Sequence, residues 1–140
     1  MGVHLILKMS EVFEYGENDI RYPQIGVKII TMNQEYPLED YELMRIDTGF
    51  DGPVLVPYGV FSYLCQDIEL FGEMRPIIEF PDKELLRARA ANVEIEIGNK
   101  LIDTQVWTYP KCDEFLVGLE VLNKLKILFD GIGKSIEIYW

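Results

Sequence analysis

The stretch Arg45-Ile46-Asp47-Thr48-Gly49-Phe50-Asp51-Gly52-Pro53-Val54-Leu55-Val56-Pro57 decides how the chain is interpreted. An apolar approach leads into an aspartate, a threonine and a glycine, and an apolar run between two prolines leads away. This order predicts a strand, a sharp turn and a second strand, with the carboxylate of Asp47 held at the turn. Gly49 and Gly52 permit backbone conformations that a Cβ would forbid, so the chain can double back close to whatever Asp47 faces.

Composition limits what this turn can do. The chain has 140 residues, of which 49% are hydrophobic, and this predicts one globular domain over residues 1–140 with a buried core. The net charge of -11 would repel phosphates and argues against a nucleic-acid partner. The basic cluster Arg87-Ala88-Arg89 is predicted to be a solvated strand face. No apolar run is long enough to span a bilayer, and the N-terminal residues lack the pattern of a signal peptide or a myristoylation site. We therefore expect no membrane partner and a cytoplasmic location.

Cysteine and histidine are too sparse for most hydrolytic or metal sites. Cys65 and Cys112 lie far apart and are expected to be free thiols, and His4 is the single histidine. A zinc site, a Ser-His-Asp triad or a Cys-His dyad is not expected unless His4 lies in a cleft, and His4 itself is predicted to be a packing or rim residue. We expect no metal and no cofactor, so that any chemistry must come from carboxylates.

The first half of the chain predicts strands and one helix. The strand segments are Val3–Met9, continued by Val12–Tyr15 up to a turn at Gly16–Asp19, then Pro23–Thr31, and Tyr41–Asp47 after a polar connection at Asn33–Asp40. From Pro57 to about Asp67 the apolar residues recur at helical spacing, and proline suits a first helical turn.

The second half predicts two hairpins and a closing pair of strands. The hairpins are Ile77–Phe80 with Leu85–Ala88 around Pro81–Glu84, and Val93–Ile97 with Leu101–Trp107 around Gly98-Asn99. An apolar strand, Phe115–Gly118, precedes a short helical segment through Leu125, and Ile127–Phe129 and Ser135–Trp140 close the chain. The fold class is therefore mostly β, a closed or sandwich-like barrel with one or two short helices.

Two separated motifs resemble those of a known family. Asp47-Thr48-Gly49 with the apolar run after it, and Leu116-Val117-Gly118 with its helical continuation, are similar to the single-domain, retroviral-type (retropepsin-like) aspartic proteases. Asp-Thr-Gly-Phe-x-Gly followed by apolar residues and a proline is typical of their cellular relatives in microbes. The similarity covers roughly residues 20 to 138.

The resemblance implies roles for individual residues. Asp47 would be the catalytic carboxylate, Thr48 would hydrogen-bond across to the other half of the site, and Gly49 would let substrate backbone approach. Val117 and Gly118 would pack behind this turn. The hairpin tip Pro81–Glu84 would be the flap that closes over substrate, with the binding residues Phe80, Pro81, Asp82 and Lys83.

Carboxylate chemistry also explains why one copy of the motif is insufficient. Amide hydrolysis needs a base to activate water and an acid to protonate the departing group, and two aspartates about 3 Å apart share one proton and supply both. Asp-Thr-Gly occurs once in this chain. The expected active form is therefore a two-fold homodimer with Asp47 from each chain, acting on extended peptides or unfolded proteins.

The chain departs from the viral pattern in two ways. Leu119 stands where the viral enzymes usually carry an arginine, so Asp51 needs another partner, for which Arg45 is the candidate. The flap tip lacks the glycines of viral flaps, and Pro81 should make it stiffer.

Other interpretations stay open at this point. Asp47 could simply cap a turn through its own side chain. The same fold could serve as a peptide-binding or regulatory dimer that cleaves slowly or not at all, or the chain could be an unrelated β-barrel that binds a small ligand.

Overall fold

Short strands make up most of the regular structure. The computed structural model describes residues 10–16 and 22–139. The strands are β1 (Ser10–Glu14), β2 (Gln24–Ile30), β3 (Glu35–Tyr36), β4 (Glu42–Ile46), β5 (Val54–Leu55), β6 (Ile77–Glu79), β7 (Leu85–Arg87), β8 (Arg89–Ile97), β9 (Lys100–Thr108), β10 (Leu116–Val117), β11 (Lys126–Asp130) and β12 (Ser135–Tyr139). The helices are α1 (Tyr58–Cys65) and α2 (Leu119–Leu122), with a 3-10 turn at Gly72–Met74. The predictions for Val3–Met9, His4, Trp140 and most of the turn at Gly16–Asp19 lie outside the described residues.

Six strands close into a barrel, as the alternating pattern predicted. Their order is β2-β4-β10-β5-β9-β8, and β8 pairs back onto β2 with Ile29 opposite Ile95. The β8–β9 hairpin turns at Gly98, whose φ of 60° is a left-handed conformation that glycine adopts without strain. A closed barrel of this kind leaves few strand edges to solvent.

The core follows the two-residue period of the strands. Val93, Ile95 and Ile97 point inward and are buried, whereas Glu94 and Glu96 between them are half-exposed. Helix α1 follows Pro57 at its N-cap and buries Phe61 against the same core.

Two smaller sheets lie beside the barrel. The chain ends form a three-stranded sheet in the order β1-β12-β11, and β6 and β7 form a separate two-stranded hairpin. The hairpin tip turns at Pro81-Asp82, because the Lys83 N–H donates to the Phe80 carbonyl at 2.8 Å, as the sequence predicted.

Two expectations are corrected. The connection Asn33–Asp40 is not wholly irregular, since Glu35–Tyr36 pairs with β2 opposite Ile30 and Ile29. Arg89 is not part of a solvated face, because its side chain is only 21% exposed and is bound to Glu69. The predicted free thiols are confirmed, and both Cys65 and Cys112 are buried.

Candidate functional site

The Asp47 turn (Asp47–Gly49) follows directly from β4. The Asp47 N–H donates to the Val117 carbonyl at 3.0 Å, and the Phe50 N–H donates to the Asp47 carbonyl at 3.2 Å. One side-chain oxygen of Asp47, Oδ1, accepts the Gly49 N–H at 2.9 Å. Asp47 is half-buried while Thr48 and Gly49 are exposed. The side chain therefore does cap its own turn, and the turn lies at the surface of the chain.

Strand β10 supports this turn from behind. It lies between β4 and β5, with Val117 beside Ile46 on one side and Val54 on the other. The Gly118 N–H continues the contact by donating to the Pro53 carbonyl at 2.7 Å. The two motifs that the sequence placed far apart are thus joined by backbone hydrogen bonds.

Only glycine fits at position 118. A Cβ built there would lie 2.1 Å from the Gly52 carbonyl oxygen and 2.6 Å from Cδ2 of Phe50. The N–H groups of Leu119 and Glu120 also donate to carbonyls of this segment, those of Phe50 and Gly52. The close approach of the two backbones is therefore the reason for the glycine.

A groove of about 500 Å³ separates the segment after the Asp47 turn from the β6–β7 hairpin. Its walls are lined by Gly49, Phe50, Asp51, Gly52, Ile77, Ile78, Glu79, Phe80, Pro81, Lys83 and Trp107. Asp47 and Thr48 are not among the lining residues, but Gly49, which follows them, is. Val117 and Gly118 lie behind the turn. Asp82 is not among the lining residues; its Oδ1 accepts the Glu84 N–H at 3.0 Å and so caps the hairpin tip. A peptide-sized space is thus bounded by the two segments that the sequence singled out.

Aromatic side chains form much of the groove wall. Phe50 and Trp107 meet edge to face at 5.8 Å, and Phe80 meets Tyr109 in the same way at 5.2 Å. Burial, and then the neighbouring Cys112, raise the pKa of the Tyr109 phenol to about 12. Phe50, Phe80 and Trp107 thus line the groove together with the charged residues Asp51, Glu79 and Lys83, and the aromatic rings suit apolar side chains of a ligand.

Sequence analysis did not assign Phe50, Ile77, Ile78 and Trp107 to the site. Phe50, Ile77 and Ile78 are large apolar residues close in sequence to the turn or to the hairpin tip, whereas Trp107 is distant in sequence from both. The expectation of an ion pair between Asp51 and Arg45 is wrong. Among the described residues the two side chains form no salt bridge, and the Arg45 guanidinium lies 5.0 Å from the centre of the Tyr22 ring.

A second groove, of about 850 Å³, is larger but more open. It is lined by residues 30–32, 92–94 and 103–105 and by Glu120. None of the predicted site residues lines it. We place the candidate site in the smaller groove, because that groove adjoins the Asp47 turn.

Two further classes of feature are absent from the described ranges. Within residues 10–16 and 22–139, no three His, Cys, Asp or Glu side chains are grouped so that they could hold a metal ion. In those same ranges no helix has the length and apolar character needed to cross a membrane.

Comparisons with known proteins agree with this geometry. The chain is similar over nearly its whole length to the crystal structure of a retropepsin-like aspartic protease from Rickettsia conorii, with a TM-score of 0.58 that covers 99% of this chain and 98% of the other at 13% sequence identity. The chain thus has a mostly β fold that is similar to the retropepsin-like fold.

Sequence comparison adds one relative. An uncharacterized protein from Archaeoglobus fulgidus is 29% identical over 109 residues, which cover 76% of this chain and 84% of that protein. No protein-family model matches the chain.

Proposed function

We propose that the protein is an aspartic endopeptidase of the retropepsin-like type, of the cellular microbial branch, that works as a homodimer and cleaves extended peptides or unfolded proteins. The observation that carries the proposal is the Asp47 turn, which is bonded to Val117 and contributes Gly49 to a groove that the β6–β7 hairpin lines on its other side. This hairpin, from here on called the flap, contributes Phe80, Pro81 and Lys83 to the groove.

Hydrolysis requires a second carboxylate. A water molecule between two aspartates is activated by the ionised one, and the protonated one then donates to the departing group. The chain has one Asp-Thr-Gly, so the second Asp47 comes from a second copy. A two-fold axis beside the turn would bring the two side chains together.

Two features of the single chain support such pairing. The side chain of Thr48 is exposed and makes no hydrogen bond within the described residues, so its hydroxyl is free to bond across an axis. Strand β11 is an edge strand in the described part of the chain, and it exposes Leu128 and Phe129 by 53% and 46%. Exposed apolar edge strands are usually covered in native proteins, and a second copy would cover this one.

An extended peptide suits the groove. Gly49 and Gly52 line one side of the groove with backbone alone, and β6 lines the other side. Among the described residues β6 pairs with β7 on one edge and with no strand on the other, so that a peptide can lie there as an added strand. The aromatic walls would take apolar side chains on either side of the cleaved bond.

The first test is loss of hydrolysis in Asp47→Asn. Denatured casein or a peptide library would be incubated from low to neutral pH with wild type, Asp47→Asn and Asp40→Asn. The last variant removes an equal charge at an exposed position outside the groove. Wild type and Asp40→Asn should cleave, and activity should fall at higher pH as the pair loses its shared proton. Equal turnover in Asp47→Asn would refute the proposal, and peptide binding without cleavage by wild type would favour the peptide-binding interpretation.

The second test concerns stoichiometry. After subunit exchange between wild type and Asp47→Asn at fixed total protein, mixed dimers hold a single carboxylate and should be inactive. Activity should therefore follow the square of the wild-type fraction, with random pairing checked by native mass spectrometry. A linear dependence under random pairing would mean that each chain holds a complete site.

A further inference from the structure

Arg89 forms a cluster that is separate from the groove. Its Nε and Nη2 donate to the two oxygens of Glu69 at 2.8 and 2.7 Å, and its Nη1 donates to the Ser62 hydroxyl at 3.0 Å. The guanidinium also lies 4.9 Å from the ring centre of Tyr58 and 4.8 Å from that of Phe61. None of these five residues lines the groove.

The cluster joins three parts of the chain. Ser62, Tyr58 and Phe61 belong to α1, Glu69 precedes the flap, and Arg89 is the first residue of β8 after the flap. The Arg89 hydrogen bonds lower the pKa of the Glu69 carboxyl, against the opposing effect of its burial. Half-buried ion pairs contribute little net stability but fix geometry when they are bidentate.

A second set of bonds lies at the base of the flap. Arg75 donates through Nε to the Ala88 carbonyl at 2.9 Å and through Nη2 to the Arg87 carbonyl at 3.1 Å. Arg87 returns a bond from Nη1 to the Arg75 carbonyl at 3.0 Å, and the Ala88 N–H donates to the Pro76 carbonyl at 2.8 Å. These hydrogen bonds thus join the residues just before β6 to the end of β7 and to Ala88, immediately before Arg89.

We propose that Arg89 and Glu69 are positioning residues that anchor the root of the flap to α1, so that the flap meets the groove in one orientation. The segment from Glu69 to Pro76 buries no residue of its own, and Phe71 and Met74 are 82% and 68% exposed. The Glu69–Arg89 pair, the bridge of Glu69 with Ala91 and the Leu70 N–H bond to the Ala90 carbonyl join its first residues to β8. Arg75 and Pro76 join its last residues to Arg87 and Ala88. The consequence for catalysis rests on the proposed function, whereas the anchoring itself does not.

Amide hydrogen exchange tests the anchor directly. Glu69→Gln and Arg89→Lys would be compared with wild type and with Glu35→Gln, which removes the ion pair of Glu35 with Lys28 elsewhere on the barrel. Amides of residues 77–87 should exchange about 10- to 100-fold faster in the first two variants, the range expected for loss of a charged hydrogen bond. Amides of β9 should be unchanged. Unchanged flap amides would overturn the proposal, and so would an equal acceleration throughout the barrel, because the pair would then act on global stability alone.

Arg89→Lys distinguishes anchoring by geometry from anchoring by charge. Lysine keeps the charge opposite Glu69 but cannot make a bidentate contact or lie flat over two rings. It should therefore resemble Glu69→Gln, and wild-type exchange in Arg89→Lys would overturn the geometric anchor. With a cleaved peptide, both variants should raise KM while kcat and its pH profile stay unchanged. If no peptide is cleaved even by wild type, the proposed function fails. The exchange data still test whether Arg89 and Glu69 anchor the root of the flap to α1.

Discussion

Replacing Gly118 by alanine tests the contact on which the candidate site depends. The new Cβ would lie 2.1 Å from the Gly52 carbonyl oxygen and 2.7 Å from the Phe50 carbonyl oxygen. Both neighbours are backbone atoms, so the two segments must separate by roughly 1 Å to restore ordinary packing. The separation would stretch the bond from the Gly118 N–H to the Pro53 carbonyl, which is 2.7 Å long.

The expected loss of stability is about 3 kcal/mol. Overpacking costs about 1–3 kcal/mol, and weakening a buried backbone hydrogen bond adds about 0.5–1.5 kcal/mol. Small domains are stable by about 5–15 kcal/mol, so the variant should still fold. Urea unfolding should show a lower midpoint with an unchanged slope. It is measured at one fixed protein concentration, because the proposed dimerisation would add to stability.

Gly131→Ala is the matched control for this experiment. Gly131 lies between β11 and β12, and a Cβ there would meet nothing within 4 Å. It should change stability by no more than about 0.5 kcal/mol. A Gly118→Ala variant as stable as wild type would refute the close packing of β10 against the Asp47 turn, and an equal loss in both variants would trace the effect to glycine itself.

Four further outcomes follow from the geometry. Gly59→Ala in α1, where a Cβ meets nothing within 4 Å, should raise the stability by about 0.5–1 kcal/mol in thermal melts; a loss would mean an unseen contact. Burial, and then Glu69, raise the pKa of the Cys65 thiol to about 12, so native protein should react slowly with a disulfide reagent. Because the folded chain holds the thiol proton more tightly than the unfolded chain, the free energy of unfolding should fall as pH rises from 9 through 12. Rapid labelling of native protein at pH 9 would contradict the raised pKa. The pKa of the Glu69 carboxyl is lowered from its ordinary value of 4.5, so its pairing stabilises the fold at pH values above 4.5. The stability difference between wild type and Glu69→Gln should therefore shrink as pH falls below 4.5, and a constant difference in urea melts would argue against the pairing. Leu128→Lys should weaken the proposed dimer in sedimentation; an intact dimer would place the interface elsewhere.

Local patterns predicted most of the barrel. The alternation of Val93, Ile95 and Ile97 with glutamates, and the Gly98-Asn99 turn, are set by neighbours in sequence. Strand β3 could not be found in this way, because its two residues pair only where β2 offers a free edge at Ile29 and Ile30.

The functional residues also differ in whether the local sequence could predict them. Asp47 and Gly118 were visible because each stands in a short motif whose chemistry or packing requires that residue. Trp107 and Arg89 were not, since a large side chain or a charge in a strand has the same local pattern whether it faces solvent or a partner. The contact of Arg89 with Glu69 depends on the path of the chain through the flap, which local periodicity does not describe.

Strand β10 lies between the strand that enters the Asp47 turn and the strand that leaves it, yet it belongs to the last quarter of the chain. Contacts between such distant segments form late, because a long loop must close before they can be made. A chain still emerging from the ribosome, or one cut before Val117, carries Asp47 without the Val117 carbonyl that its N–H binds. The order of synthesis therefore delays completion of the candidate site until the residues through Val117 have been made, and under the proposed function this delay would protect neighbouring nascent chains from premature cleavage.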